Sequence, residues 1–100
     1  MYFSARGTNG RLASGAAIAA SNDPFGSYKD IGKPLVEAKA KDIGAGAIDP
    51  HYFRDPISKN HYLLWKEDRP ISLQLTSMYI QQLTSYGTSL KVGVECTPLV

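Results

Sequence analysis

The sequence predicts an all-β protein, and three observations predict it. Strand-like runs recur along the chain, clusters of Gly, Pro, Asn, Asp and Ser separate them, and no stretch supports a helix once its flanks are considered. Over 100 residues this amounts to about seven short strands. Their spacing, roughly 8–12 residues, is that of antiparallel all-β folds.

The first two strands cover residues 1–5 (MYFSA) and 14–20 (SGAAIAA), paired as a hairpin. The Ala-rich second run favours a helix by propensity. However, Gly7-Thr8-Asn9-Gly10 precedes it and Ser21-Asn22-Asp23-Pro24 follows it, which is hairpin punctuation. Its small side chains suit a strand crowded on its faces by neighbouring sheets. Residues 25–30 lead into a short strand at 33–36 (KPLV), which Pro34 places at an edge because it donates no ladder hydrogen bond.

Residues 37–46 (EAKAKDIGAG) are polar, end Gly-rich and read as a connection. A strand at 47–54 (AIDPHYFR) follows, then the turn Asp55-Pro56-Ile57-Ser58-Lys59-Asn60. The strongest strand is 61–66 (HYLLWK), aromatic, apolar and flanked by turns. Residues 67–75 read as a loop, 77–83 (SMYIQQL) alternate as a half-buried strand, Ser85-Tyr86-Gly87-Thr88 turns the chain, and 91–96 (KVGVEC) forms the last strand.

The order is three strands, a link, and four strands joined by short turns. A four-stranded antiparallel meander is the unit of a β-propeller blade. The expected organisation is therefore the outer strands of one blade (1–36), a connection (37–46) and the next blade (47–100). A blade buries its faces only against its neighbours, so two would not close a ring. Because Met1-Tyr2-Phe3-Ser4-Ala5 reads as the end of a strand, we expect a fragment of a larger domain.

Composition sets the broad class. With 43% hydrophobic residues, 20% charged residues and a net charge of +2, the chain belongs with soluble globular proteins rather than disordered tails. Lys and Arg are scattered singly, and the densest cluster, Lys39 and Lys41, is broken by Ala40. That pattern argues against a nucleic-acid or anionic-membrane partner. The single cysteine, Cys96, permits no internal disulfide and no cysteine metal site, and reads as an inert thiol in a strand. No run approaches the roughly 18 apolar residues of a membrane-spanning helix. The first residues lack the basic and apolar regions of a signal peptide.

Ala47-Ile48-Asp49-Pro50-His51-Tyr52-Phe53-Arg54-Asp55, followed by His61-Tyr62-Leu63-Leu64-Trp65-Lys66, resembles glycoside hydrolase family 43. These are five-bladed propellers that include arabinanases, β-xylosidases and arabinofuranosidases. The likeness continues through Met78-Tyr79-Ile80-Gln81-Gln82-Leu83 and the turn Ser85-Tyr86-Gly87-Thr88-Ser89-Leu90. Upstream, Tyr2-Phe3-Ser4-Ala5, Ala16-Ala17-Ile18-Ala19-Ala20-Ser21 and Asp23-Pro24-Phe25-Gly26-Ser27-Tyr28 look like outer strands of the preceding blade. Ser27 stands where the family often has a turn proline. The resemblance covers nearly the whole chain and rests on the ordered set rather than on one motif.

The resemblance implies hydrolysis of O-glycosyl bonds with inversion, in arabinose- or xylose-containing plant polysaccharides or oligosaccharides, and needs no cofactor. Glycosidic cleavage requires a carboxylic acid to protonate the leaving oxygen and a carboxylate to activate water. In the family, an Asp of an early blade is the base and a Glu of a later blade the acid. The Asp of the Ile-Asp-Pro motif raises the acid's pKa and positions it. Asp49 matches that last role alone, as pKa modulator, a nearby negative charge disfavouring ionisation of the acid. The base is expected before Met1 and the acid after Val100, so this fragment alone would be inactive and would need the remaining blades. The family also implies an extracellular setting.

Read without the resemblance, Asp49 is a strand-start Asp whose carboxylate satisfies backbone N–H groups beside Pro50. Glu67 reads as a solvated blade-edge residue, and Glu95 as pointing away from any axis. His51 and His61 read as partly exposed strand histidines rather than metal ligands. Trp65 reads as packing rather than as a sugar platform, and Asp55-Pro56 as a turn. Tyr52 and Phe53 point in opposite directions, so at most one faces a neighbouring blade. The competing reading is a catalytically dead carbohydrate-binding or interaction β-sheet module. An unrelated β-sandwich would make the order of strands a coincidence.

Overall fold

The computed structural model of the chain describes residues 1–7, 11–38, 46–68, 77–92 and 97–99. These residues form seven strands and no helix: β1 (Tyr2–Arg6), β2 (Leu12–Ala19), β3 (Tyr28–Asp30), β4 (Gly46–Arg54), β5 (His61–Asp68), β6 (Ser77–Gln82) and β7 (Thr97–Pro98). They make two antiparallel sheets, one of three strands in the order β1-β2-β3 and one of four in the order β4-β5-β6-β7. Every strand pairs with its neighbour in sequence, so each sheet is a meander.

The all-β class and the hairpins of the sequence reading are present, and β2 shows why an Ala-rich run became a strand. Residues 13–17 are buried without interruption. Since successive side chains alternate between faces, both faces of β2 are covered. Ser14 and Ala16 lie opposite Ser4 and Tyr2 of β1, and this face meets the second sheet, the Ser14 hydroxyl donating to the Ala47 carbonyl at 2.9 Å. On the other face Gly15 lies under Phe3, where a Cβ would come within 3.0 Å of the Phe3 ring. Only small residues fit between two such layers.

Strand β5 divides the second sheet. Leu63, Trp65 and Glu67 are buried on one face, and Leu64, Lys66 and Asp68 are half-buried on the other. The core gathers Leu63, Trp65, Tyr79 and Leu83 with Ala47 and Val36, flanked by Tyr2, Leu35 and Leu90. It therefore spans both sheets. Trp65 is 3% exposed and stacks on Tyr79 with centroids 5.6 Å apart, so it packs, as its sequence setting indicated.

Three expected boundaries move. The third strand is Tyr28–Asp30, paired with Ala17, Ile18 and Ala19, whereas residues 33–36 contribute only a bridge between Val36 and Ser14. Gly32 has a φ of 85° and its N–H is held by the Asp30 carboxylate at 2.9 Å. That turn ends β3 before Pro34. Glu67 and Asp68, expected in a loop, are the last two residues of β5, and the rest of that loop lies outside the described residues. Lys91 and Val92 belong to no strand, residues 93–96 lie outside the described set, and the final strand is Thr97–Pro98. Residues 8–10, Lys39, Lys41, Glu95 and Cys96 also fall outside it.

Candidate functional site

Strand β4 and the β5 strand beside it position the sequence-predicted site. Their hairpin is closed by Asp55, whose carboxylate accepts from the Ile57 N–H at 3.1 Å, the Ser58 N–H at 3.3 Å and the Ser58 hydroxyl at 2.7 Å. This is the side-chain turn chemistry expected of Asp before Pro. From that turn the register runs evenly from Arg54 opposite His61 to His51 opposite Leu64, then shifts by one residue, so that Ile48 faces Lys66. The shift is a β-bulge, and Asp49 and Pro50 occupy it.

Asp49 has a φ of 55°. The left-handed region costs an L-residue about 1–2 kcal/mol, although Asp tolerates it better than most. The following proline adds to the disfavour, because it pushes its predecessor toward extended backbone. Two contacts hold the conformation. The Asp49 N–H donates to the Ser4 hydroxyl of β1 at 3.1 Å, and the carboxylate pairs with the Lys66 ammonium at 3.3 Å. Bulges and left-handed residues of this kind concentrate where a strand must re-aim a side chain. Here the re-aimed group is a carboxylate whose side chain is 71% exposed.

Lys66 also reaches Asp68, at 3.5 Å. Lys66 and Asp68 are two apart on β5 and so share a face. One cation therefore stands between two carboxylates, and the cluster keeps a net charge of −1. The hydrogen bond that Lys66 donates to Asp49, then the charge of Asp68, raise the Lys66 pKa above its ordinary value. Asp49, His51, Leu64, Lys66 and Met78 line a recess of about 240 Å³ beside this cluster.

Read without the resemblance, the Asp49 carboxylate was expected on backbone N–H groups; the structure pairs it with Lys66 instead. The sequence reading missed Lys66 and Asp68 as members of the cluster. The signal was present, since counting back evenly from the Asp55–Asn60 turn brings Asp49 level with Lys66. Glu67 requires the larger correction. Expected to be solvated, it is 0% exposed, because β5 continues past Lys66 and keeps Glu67 in phase with Leu63 and Trp65. It lies on the face opposite Lys66, away from the Asp49 carboxylate. Glu37 is exposed.

The two histidines separate as well. His51 is exposed, whereas His61 is half-buried with its Nδ1 at 2.5 Å from the Tyr52 hydroxyl. Among the described residues no group of three His, Cys, Asp or Glu side chains is gathered as a metal site. Tyr52 stacks on Tyr2 of the first sheet, centroids 6.0 Å apart and planes 6° from parallel. Phe53 contacts Tyr62 within its own sheet. The alternation expected for this pair thus sends Tyr52 alone toward the neighbouring sheet. No protein-family model matches the chain, and no curated protein matches it in sequence.

Proposed function

We propose that the chain is part of a glycoside hydrolase, its two sheets belonging to adjacent blades of a five-bladed propeller of the family 43 type. The observation that carries this reading is the solvent-facing carboxylate of Asp49, held in a strained, bulged backbone near the start of the first strand of a four-stranded meander. The Ile-Asp-Pro segment and the strand order supply the family, and with it the substrate class: O-glycosyl bonds in arabinose- or xylose-containing plant carbohydrate. Hydrolysis proceeds by single displacement with inversion, and no cofactor enters it.

In this mechanism Asp49 is a fixed charge rather than a proton carrier. The general acid must be protonated while the base is ionised, and a nearby negative charge keeps it so. The Asp49–Lys66–Asp68 cluster meets that need because one ammonium does not cancel two carboxylates. Lys66 orients Asp49, and the Ser4 hydroxyl fixes its backbone. The base and the acid come from other blades that complete the ring.

The test is hydrolysis of aryl arabinofuranosides and xylosides by the 100-residue chain and by a protein extended to the full reading frame. We expect activity from the extended protein only, reduced about a hundredfold by Asp49→Asn, a residue that also tolerates the left-handed backbone. An inactive extended protein would overturn the enzyme reading in favour of a non-catalytic carbohydrate-binding module, and an Asp49→Asn variant of unchanged rate would overturn the role of Asp49. Activity in the short chain would place the acid and base within it.

A further inference from the structure

A second polar recess lies at the other end of the four-stranded sheet. Arg54 is five residues beyond Asp49 along β4, about 16 Å at the rise of a strand. There the β4–β5 turn and the segment after β6 lie side by side and enclose about 400 Å³. Lys59 and His61 line it from one side, and Thr84, Ser85 and Lys91 from the other.

The charge of this recess is one-sided. No Asp or Glu is among its described lining residues. Asp55, on the same turn, has its carboxylate committed to Ile57 and Ser58. Lys59 and Lys91 are exposed, and no ion pair joins either of them to a described residue. Two lysines lining one recess that has no acidic residue in its described lining repel each other, and an anion between them removes that repulsion.

His61 supplies a directed donor. Its Nδ1 is engaged by the Tyr52 hydroxyl, and Tyr52 is itself held by its stack on Tyr2. With that hydroxyl donating to Nδ1, the ring proton sits on Nε2. Nε2 is then an N–H donor on a ring that lines the recess. The Ser85 hydroxyl offers a further donor, while that of Thr84 is spent on Ser89.

We propose that this recess binds a small oxyanion, a phosphate or a carboxylate, between Lys59, Lys91 and the Nε2–H of His61. The site stands on these residues alone and is independent of the glycosidase reading. Charge-assisted hydrogen bonds to oxygen are the strongest such groups make.

The experiment is an NMR titration of the ¹⁵N-labelled full chain at low ionic strength. Inorganic phosphate is used in one arm and glucuronate, a sugar carboxylate, in the other. Saturable shifts are expected at Lys59, His61, Ser85 and Lys91 with a Kd of about 1 mM, and none at Asp49. The arm that binds more tightly identifies the anion. Lys59→Asn, which retains a residue suited to the φ of 66° at that position, and Lys91→Ala should each weaken binding about tenfold. Both side chains are exposed, and the amide spectrum itself reports that the variants stay folded. Shifts that fail to saturate, that spread over all the lysines, or that persist unchanged in the double variant would overturn the site.

Discussion

The hydroxyl of Ser14, in the buried middle of β2, donates to the carbonyl of Ala47 in β4 at 2.9 Å, joining the two sheets through a hydrogen bond inside the core. Both residues are 0% exposed, so no water replaces either partner. Replacing Ser14 by Ala leaves a buried carbonyl unmet, which costs about 1–3 kcal/mol. Ser14→Ala should lower the free energy of unfolding in urea by that amount. A change below about 0.5 kcal/mol would mean that the sheets do not depend on this bond.

The left-handed backbone at Asp49 makes a comparison between two substitutions more informative than either alone. Both Asp49→Gly and Asp49→Ala remove the ion pair with Lys66, so their difference isolates the conformation. Glycine adopts a φ of 55° freely and alanine does not. The Gly variant should be more stable than the Ala variant by about 1 kcal/mol in thermal unfolding. The reverse order would show that the bulge relaxes when the ion pair is lost.

Lys66 gives a pH signature at the alkaline end. Its pKa is raised in the folded state by Asp49 and Asp68. A raised lysine contributes stability that is complete below its ordinary value of 10.5 and is lost as pH rises through the folded value. Above that value the stability of the wild-type chain should therefore fall toward that of Lys66→Met, whose curve should be flatter there. Because the pair is exposed, raising the salt concentration should narrow the gap at neutral pH.

Asp55 gives the opposite signature. Its pKa is lowered, first by the Ser58 hydroxyl and next by the Ile57 N–H. Its stabilising effect is present above the ordinary value of 3.8 and disappears as pH falls through the lower folded value. Asp55→Ala should be less stable than wild type at neutral pH, and the two should converge in acid. A gap that persists in strong acid would assign the effect to something other than the ionised turn contacts.

How far the sequence carried can be judged at particular residues. The Asp55 turn, the strand His61–Asp68 up to Lys66, and the opposite directions of Tyr52 and Phe53 were legible because each depends on local chemistry: a side chain bonding its own backbone, or a period of two. Burial of Glu67 was not, because a Lys-Glu-Asp run has the composition of a loop. Its burial follows from the strand's phase, which is set by pairing with Ala47.

By itself, then, the sequence determined an all-β chain, the hairpin of β4 and β5, and the identity of the carboxylate that sits near the start of β4. The tertiary structure alone decided the backbone that presents that carboxylate. Ser4 is 45 residues from Asp49, and the contact exists because β1 packs on β4. The bulge that turns Asp49 toward Lys66 depends on a one-residue slip in pairing. Local propensity does not encode such a slip; competition between backbone strain and the hydrogen bonds and charges of the neighbouring strands does.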